Sequence, residues 1–243
     1  MKIVGFMVCG PGEADRYLEG TLKEFKRLCD DAIICGNNTD AKTEKLIKKY
    51  GYWFYRDNRE WGYYQPAIKT DLLRRVGNLS PDWIVALDAD ERFAPEFTRS
   101  KAEALANSGE IAFHFLIVNL YNDETHFAHD AGIQRFWNIR FYKYLPQYGL
   151  EFQKTNLHCG LGPPITYTRG WHAPYYVLHY GLMKPEDRKA KAERYRQYDK
   201  RNMKPAYYTD LERDLEMRPF NPKKLLKQLA ESPDCQKREP PRL

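Results

Sequence analysis

Two carboxylates one residue apart, Asp88 and Asp90, follow the apolar run WIVAL and stand with Ala89 and Glu91 in the tetrad DADE. Carboxylates at the end of a buried strand are costly unless something positive joins them. Magnesium and manganese prefer a few carboxylates, water and phosphate oxygens, so this spacing suits a site for a metal-bound diphosphate. Acidic triplets also cap helices and end strands, and the tetrad alone leaves both readings open. Cys9, Cys29, Cys35, Cys159 and Cys235 contain no CxxC pair, which argues against a zinc ribbon and fits reduced thiols. Cys159 has no paired general base evident from sequence to make it a nucleophile.

The elements that must position these groups follow from hydrophobic periodicity. Residues 3–8 read as a strand, and Leu18, Leu22, Phe25 and Leu28 recur near 3.6 residues as one buried helix face. Residues 32–35 form a second strand ended by GNNTD, and Asp40 can cap a helix carrying Leu46, Ile47 and Tyr50. Residues 52–55 make a third strand, Pro66 opens a helix with Ile68, Leu72 and Val76 on one side, and residues 83–87 are a fully apolar fourth strand. Such alternation predicts β-α units around a mostly parallel sheet, which binds ligands outside the carboxyl ends of its strands. Residues 111–120, 137–145 and 175–180 are expected as further, antiparallel strands with long aromatic connections. Residues 185–202 have proline at the first helical position, acids first and bases later, which predicts a helix. Beyond residue 204 prolines multiply, and the last twelve residues are expected to be disordered.

Length and charge set the outer limits. The 243 residues, 42% hydrophobic and 30% charged, describe one domain with an appendage and exclude a fibre or a disulfide miniature. No apolar run approaches the ~20 residues of a membrane span, and the first ten residues read as a strand rather than a leader, so a cytoplasmic protein is expected. Residues 1–183 carry 22 Lys+Arg against 22 Asp+Glu, and residues 184–243 carry 17 against 11, so the surplus of +6 lies wholly in the last quarter. The expected division is therefore a catalytic body at 1–183 and a basic helical extension at 184–243.

The order of these features, with WIVALDADE, the polar turn at Asp40, RFYKY at 140–144, NLHC around His158 and VLHYG at 177–181, resembles glycosyltransferase family 2 over about residues 1–200. The resemblance implies an α/β GT-A (Rossmann-like) mixed sheet flanked by helices, and a metal-dependent, inverting transfer of sugar from a nucleotide-diphosphate donor to an acceptor hydroxyl. It places Val8, Cys9, Gly10, Glu13 and Asp40 at the donor base, Lys69 at the diphosphate, and Asp88, Ala89 and Asp90 at the ribose and metal. His179 matches the late histidine that reaches a Mn or Mg ion in GT-A enzymes. For the base, Asp130 in HDAGIQR leads and His158 and Glu151 follow, although Asp130 before Ala-Gly is also simply a good turn residue. The donor implied is a UDP-sugar, and the acceptor a glycan or other hydroxyl.

Function of a different class is also open. The basic last quarter is interleaved with Tyr195, Tyr198, Tyr207 and Tyr208, as in a nucleic-acid-binding module. Its bases project all round the helix at 100° per residue, however, and form no stripe. The two ideas combine in a transferase acting on a hydroxymethylated base in DNA. Aromatic residues at 61–64 and 171–176 are further candidates for stacking on a sugar or base.

Overall fold

The apolar run near the start of the chain forms strand β1 (Ile3–Cys9), with six of its seven residues buried. It lies inside the sheet with a strand on either side, because a strand apolar on both faces needs cover on both. The structure is a computed structural model and describes residues 1–60, 64–129, 135–153, 159–199, 205–233 and 235. After β1 come α1 (Leu18–Leu28), β2 (Asp31–Asn37), α2 (Ala41–Lys49), β3 (Trp53–Asp57), α3 (Gln65–Gly77) and β4 (Trp83–Ala86). Leu18, Leu22, Phe25 and Leu28 of α1 are all fully buried on one face of the sheet, whereas Ile68, Leu72 and Val76 of α3 join a second apolar cluster. Asp40 caps α2 as its sequence position predicts, accepting from the Thr43 amide at 2.9 Å.

Strands β3, β2, β1 and β4 run parallel in that spatial order. The chain winds one way from β1 to β2 and β3, then returns to β4 on the other side of β1. The order therefore reverses between β1 and β4, and a crevice opens outside their carboxyl ends.

The second half comprises β5 (Glu91–Phe93), α4 (Arg99–Ala106), β6 (Ala112–Tyr121), β7 (Asp123–Ala128), β8 (Phe136–Lys143), the short α5 (Pro164–Thr168) and β9 (Gly170–His179). It ends with α6 (Pro185–Tyr198), α7 (Pro205–Asp210), β10 (Met217–Pro219) and α8 (Pro222–Glu231). The sheet runs β10-β7-β6-β8-β4-β1-β2-β3, with β9 joining β6 and carrying β5. Antiparallel pairing holds for β4 with β8, β6 with β8 and β7, and β5 with β9, as expected. The pairing of β9 with β6 corrects the expectation: it is parallel, because α5 carries the chain back before β9 begins.

Helix α8 carries a cap and an apolar face in a segment whose prolines had suggested irregular chain. Asn221 accepts from the Lys224 amide, Pro222 stands at the first turn, and Leu225 and Leu229 are buried. The tail expected to be disordered falls mostly outside the described residues. No described helix is long and apolar enough to cross a membrane, and all five cysteines are free thiols.

Candidate functional site

Strand β4 ends at Ala86, and residues 88–90 turn before β5 begins. Three contacts hold this turn. The Thr21 hydroxyl of α1, fully buried, lies 2.9 Å from the carbonyls of both Ala89 and Glu91. The amide of Tyr180, just past β9, donates to the Asp90 carbonyl at 2.8 Å. Glu91 makes a bidentate pair with Arg140 of β8, Nε to Oε2 at 2.6 Å, with side chains 2% and 3% exposed. Ala89 is buried with Glu91, while Asp88 and Asp90 are left half-buried at the edge.

The two carboxylates act on different neighbours. Asp88 bears on Arg140 and Cys159, and its amide donates to Glu91 Oε2 at 3.1 Å. Asp90 faces His179, Lys191 and Arg16. Its Oδ2 lies 3.2 Å from His179 Nε2 at the end of β9, and His179 Nδ1 lies 2.7 Å from Asn119 Oδ1 on β6. Burial alone would raise Asp90; His179, then Lys191 and Arg16, outweigh it and hold the carboxyl below the ordinary range. Gly181 borders the same atoms, since a Cβ there would stand 1.9 Å from Asp90 Oδ2 and 3.0 Å from His179 Nε2. Only glycine leaves room for the carboxylate.

The turn after β1 forms the facing wall. Gly12 adopts the left-handed conformation at φ 75°, and Asp40 accepts from its amide at 2.6 Å. Hydrogen bonds from the Gly12 and Thr43 amides hold Asp40 well below the usual carboxylate range, so this residue shapes the turn that carries Glu13. Glu13 is 9% exposed; Oε1 accepts from Arg16 at 3.1 Å, while Oε2 is buried without a partner among the described residues. Burial and then Asp90 push Glu13 up to about 7. Val8 and Gly10 are half-buried nearby in sequence, and burial raises the Cys9 thiol far above its usual value.

Helix α6 closes the third side. Asp187 accepts from Arg16 Nε and from the Tyr17 hydroxyl, each at 3.0 Å. Arg188 reaches inward to Asn122 Oδ1 and the Leu182 carbonyl and stands over the Tyr121 ring at 3.9 Å. One turn after Asp187, Lys191 Nζ comes within 3.5 Å of His179 Nε2. Burial works against the charge of this lysine, but Tyr195, Tyr207 and Asp90 outweigh it and raise its pKa. Contacts thus cross the division drawn at residue 184, and the charge boundary falls beside the site.

Other expected residues lie elsewhere. Lys69 is 4% exposed and donates to the carbonyls of Cys159 at 2.8 Å and Gly160 at 3.1 Å. Asp130, His158 and the aromatic residues 61–63 lie outside the described residues. Glu151 pairs with Arg74 at 2.8 Å on the surface. Trp171 and Tyr175 pack on the core, and Tyr176 is 1% exposed. Tyr195 stacks on Tyr207, and Tyr208 meets both rings edge-on. A cleft of about 840 Å³ runs along the first turns of α6, lined by Asn122, Glu186, Arg188 and Asp214 among others, and includes neither Asp90 nor His179.

Sequence reading missed Asn119, Arg16, Asp187, Gly181 and Lys191. Asp187 looked like a dipole-matching acid of a first turn, and Lys191 like one base among many on a solvated helix. Their spacing of four, which puts them on one helix face, was the available signal.

Of the three residues expected to hold a metal, Asp90 and His179 meet and Asp88 does not join them. Among the described residues no three His, Cys, Asp or Glu side chains converge as an ion-binding group. Asp90 and His179 offer two donors, and the Lys191 ammonium stands 3.5 Å from the histidine nitrogen.

No family model and no curated protein matches this sequence. Likeness is found among solved structures. S. aureus TarS 1–349 in complex with UDP-GlcNAc aligns with TM-score 0.50 at 10% identity, over 87% of this chain and 70% of that one. A second S. aureus TarS structure aligns with TM-score 0.50 at 11% identity, over 87% of this chain and 42% of that one. Likeness at such identity speaks to the fold, which is of the GT-A type: a mixed sheet flanked by helices, parallel around β1 and extended by antiparallel strands.

Proposed function

We propose that this protein transfers a sugar from a nucleotide-diphosphate donor, most simply a UDP-sugar, to an acceptor hydroxyl with inversion. The observation that carries the reading is the meeting of Glu13, Arg16, Asp90, His179 and Lys191 outside the carboxyl ends of β1 and β4, where the strand order reverses. The UDP-GlcNAc bound by S. aureus TarS agrees with a donor of this class. Breaking the bond between the anomeric carbon and the diphosphate leaves the electron pair on oxygen, and fixed positive charge at that oxygen lowers the barrier. Arg16 and Lys191 supply such charge from opposite walls. Asp90 and Glu13 keep those cations oriented, and no step in this reading passes through a metal.

The acceptor hydroxyl must lose its proton as it attacks, and a base placed there contributes ~10²–10⁴ in rate. Asp130 is proposed as that base, with His158 second. A panel of UDP-, GDP- and dTDP-sugars tests the reading. One nucleotide class should raise the melting temperature and release free sugar slowly, because ligand held only by the folded state stabilises it by mass action. Asp90→Ala should lose both effects while remaining folded. No shift and no release with any donor would sink the proposal.

A further inference from the structure

On the reading that this edge binds a nucleoside diphosphate, we propose that the Lys191 ammonium, and not a divalent metal, is the cation that receives the diphosphate beside Asp90 and His179. Asn119 Oδ1 accepts from His179 Nδ1 at 2.7 Å, which fixes the ring and turns Nε2 toward Asp90 Oδ2, 3.2 Å away. A half-buried carboxylate at this edge calls for a fixed positive group beside it. Lys191 Nζ, 3.5 Å from Nε2, is that group.

A metal would need the same place. Bound to both donors at its usual ~2.0–2.2 Å, a dication would lie within a few ångströms of the ammonium and be repelled by it. The lysine is not free to withdraw easily. Asp187, on the same face of α6 one turn earlier, is fixed to Arg16 and Tyr17, and Arg188 anchors the next position to Asn122 and the Leu182 carbonyl. Tyr195, one turn later, lies under the ammonium with its ring centroid 5.9 Å from Nζ. A fixed charge of this kind needs no reorganisation at the moment of reaction.

In the transfer step the bond between the anomeric carbon and the diphosphate oxygen breaks, and its electron pair remains on that oxygen. The acceptor oxygen forms the new bond to carbon and its proton passes to the base. Lys191 stays protonated throughout and pairs with the leaving oxygen.

Calorimetric titration of the full chain with UDP, GDP, dTDP, CDP and ADP, each in EDTA and in manganese, tests this. The wild type should bind one of them in EDTA within about threefold of its affinity in manganese. Lys191→Met should weaken that binding by about 10- to 100-fold, the loss of a charge-assisted hydrogen bond, while Lys191→Arg should retain most of it. Melting temperatures of both variants establish that they fold. A manganese requirement in the wild type, or unchanged affinity in a folded Lys191→Met, overturns the inference and leaves the transferase reading standing. Absence of binding by every nucleotide in both conditions overturns the two together.

Discussion

Glu13 is a carboxyl whose burial and nearness to Asp90 outweigh the pull of Arg16 and Arg194, so it takes up its proton at about 7 instead of the ordinary 4.5. Asp187 adds to the upward push. Between those two values the folded chain binds more protons at Glu13 than the unfolded chain does, so this residue's contribution is fully present below about 4.5 and is lost as the pH rises through about 7. The expected outcome is a melting temperature whose fall across that window is flattened in Glu13→Gln, measured by thermal denaturation from pH 4 to 8. Identical slopes in the two proteins would remove the perturbed carboxyl. At this scale the sequence made Asp88, Asp90 and His179 visible, because acids after an apolar run and a histidine in LHYG stand out in one dimension. Asn119 and Gly181 did not stand out, since a buried amide and a small residue acquire meaning only from the side chain that folding sets beside them.

Among the elements, β5 and β8 are joined through the pair of Glu91 and Arg140, both almost wholly buried. Removing one partner of a buried pair leaves the other unpaired and costs ~3–5 kcal/mol, whereas replacing both by apolar residues costs much less. Urea denaturation of Arg140→Leu should show a loss of that size, and Glu91→Leu with Arg140→Leu a smaller one. A single-variant loss below about 1 kcal/mol, the worth of an exposed pair, would contradict the geometry. The parallel strands were legible because each is a short apolar run. Helix α6 was legible as a helix from Pro185 and its first-turn acids, but not as a wall of the site. Its sequence has no apolar stripe, and it docks through Asp187, Arg188 and Lys191, so hydrophobic periodicity could not tell which face turns inward. The pairing of β6 with β9 was equally hidden, because parallel register depends on the connection between strands rather than on either strand.

Across the whole molecule, the bases of the last quarter that lie among the described residues are partly drawn inward. Arg188 and Lys191 turn to the sheet edge, and Arg196 pairs with Glu212 at 2.6 Å. Tyr195, Tyr207 and Tyr208, three of the tyrosines expected to stack on bases, pack against one another, and Tyr208 is 1% exposed. This arrangement favours the proposed donor site over a nucleic-acid platform, with Asp187 and Lys191 of the last quarter beside it. The account stands or falls on where a nucleotide binds. A crystal structure of the chain with the nucleoside diphosphate selected by titration measures this most directly. The account expects the diphosphate at the ends of β1 and β4, with a phosphate oxygen ~3 Å from Lys191 Nζ. A nucleotide seated in the cleft along the first turns of α6, or anywhere that leaves Asp90, His179 and Lys191 untouched, would contradict it.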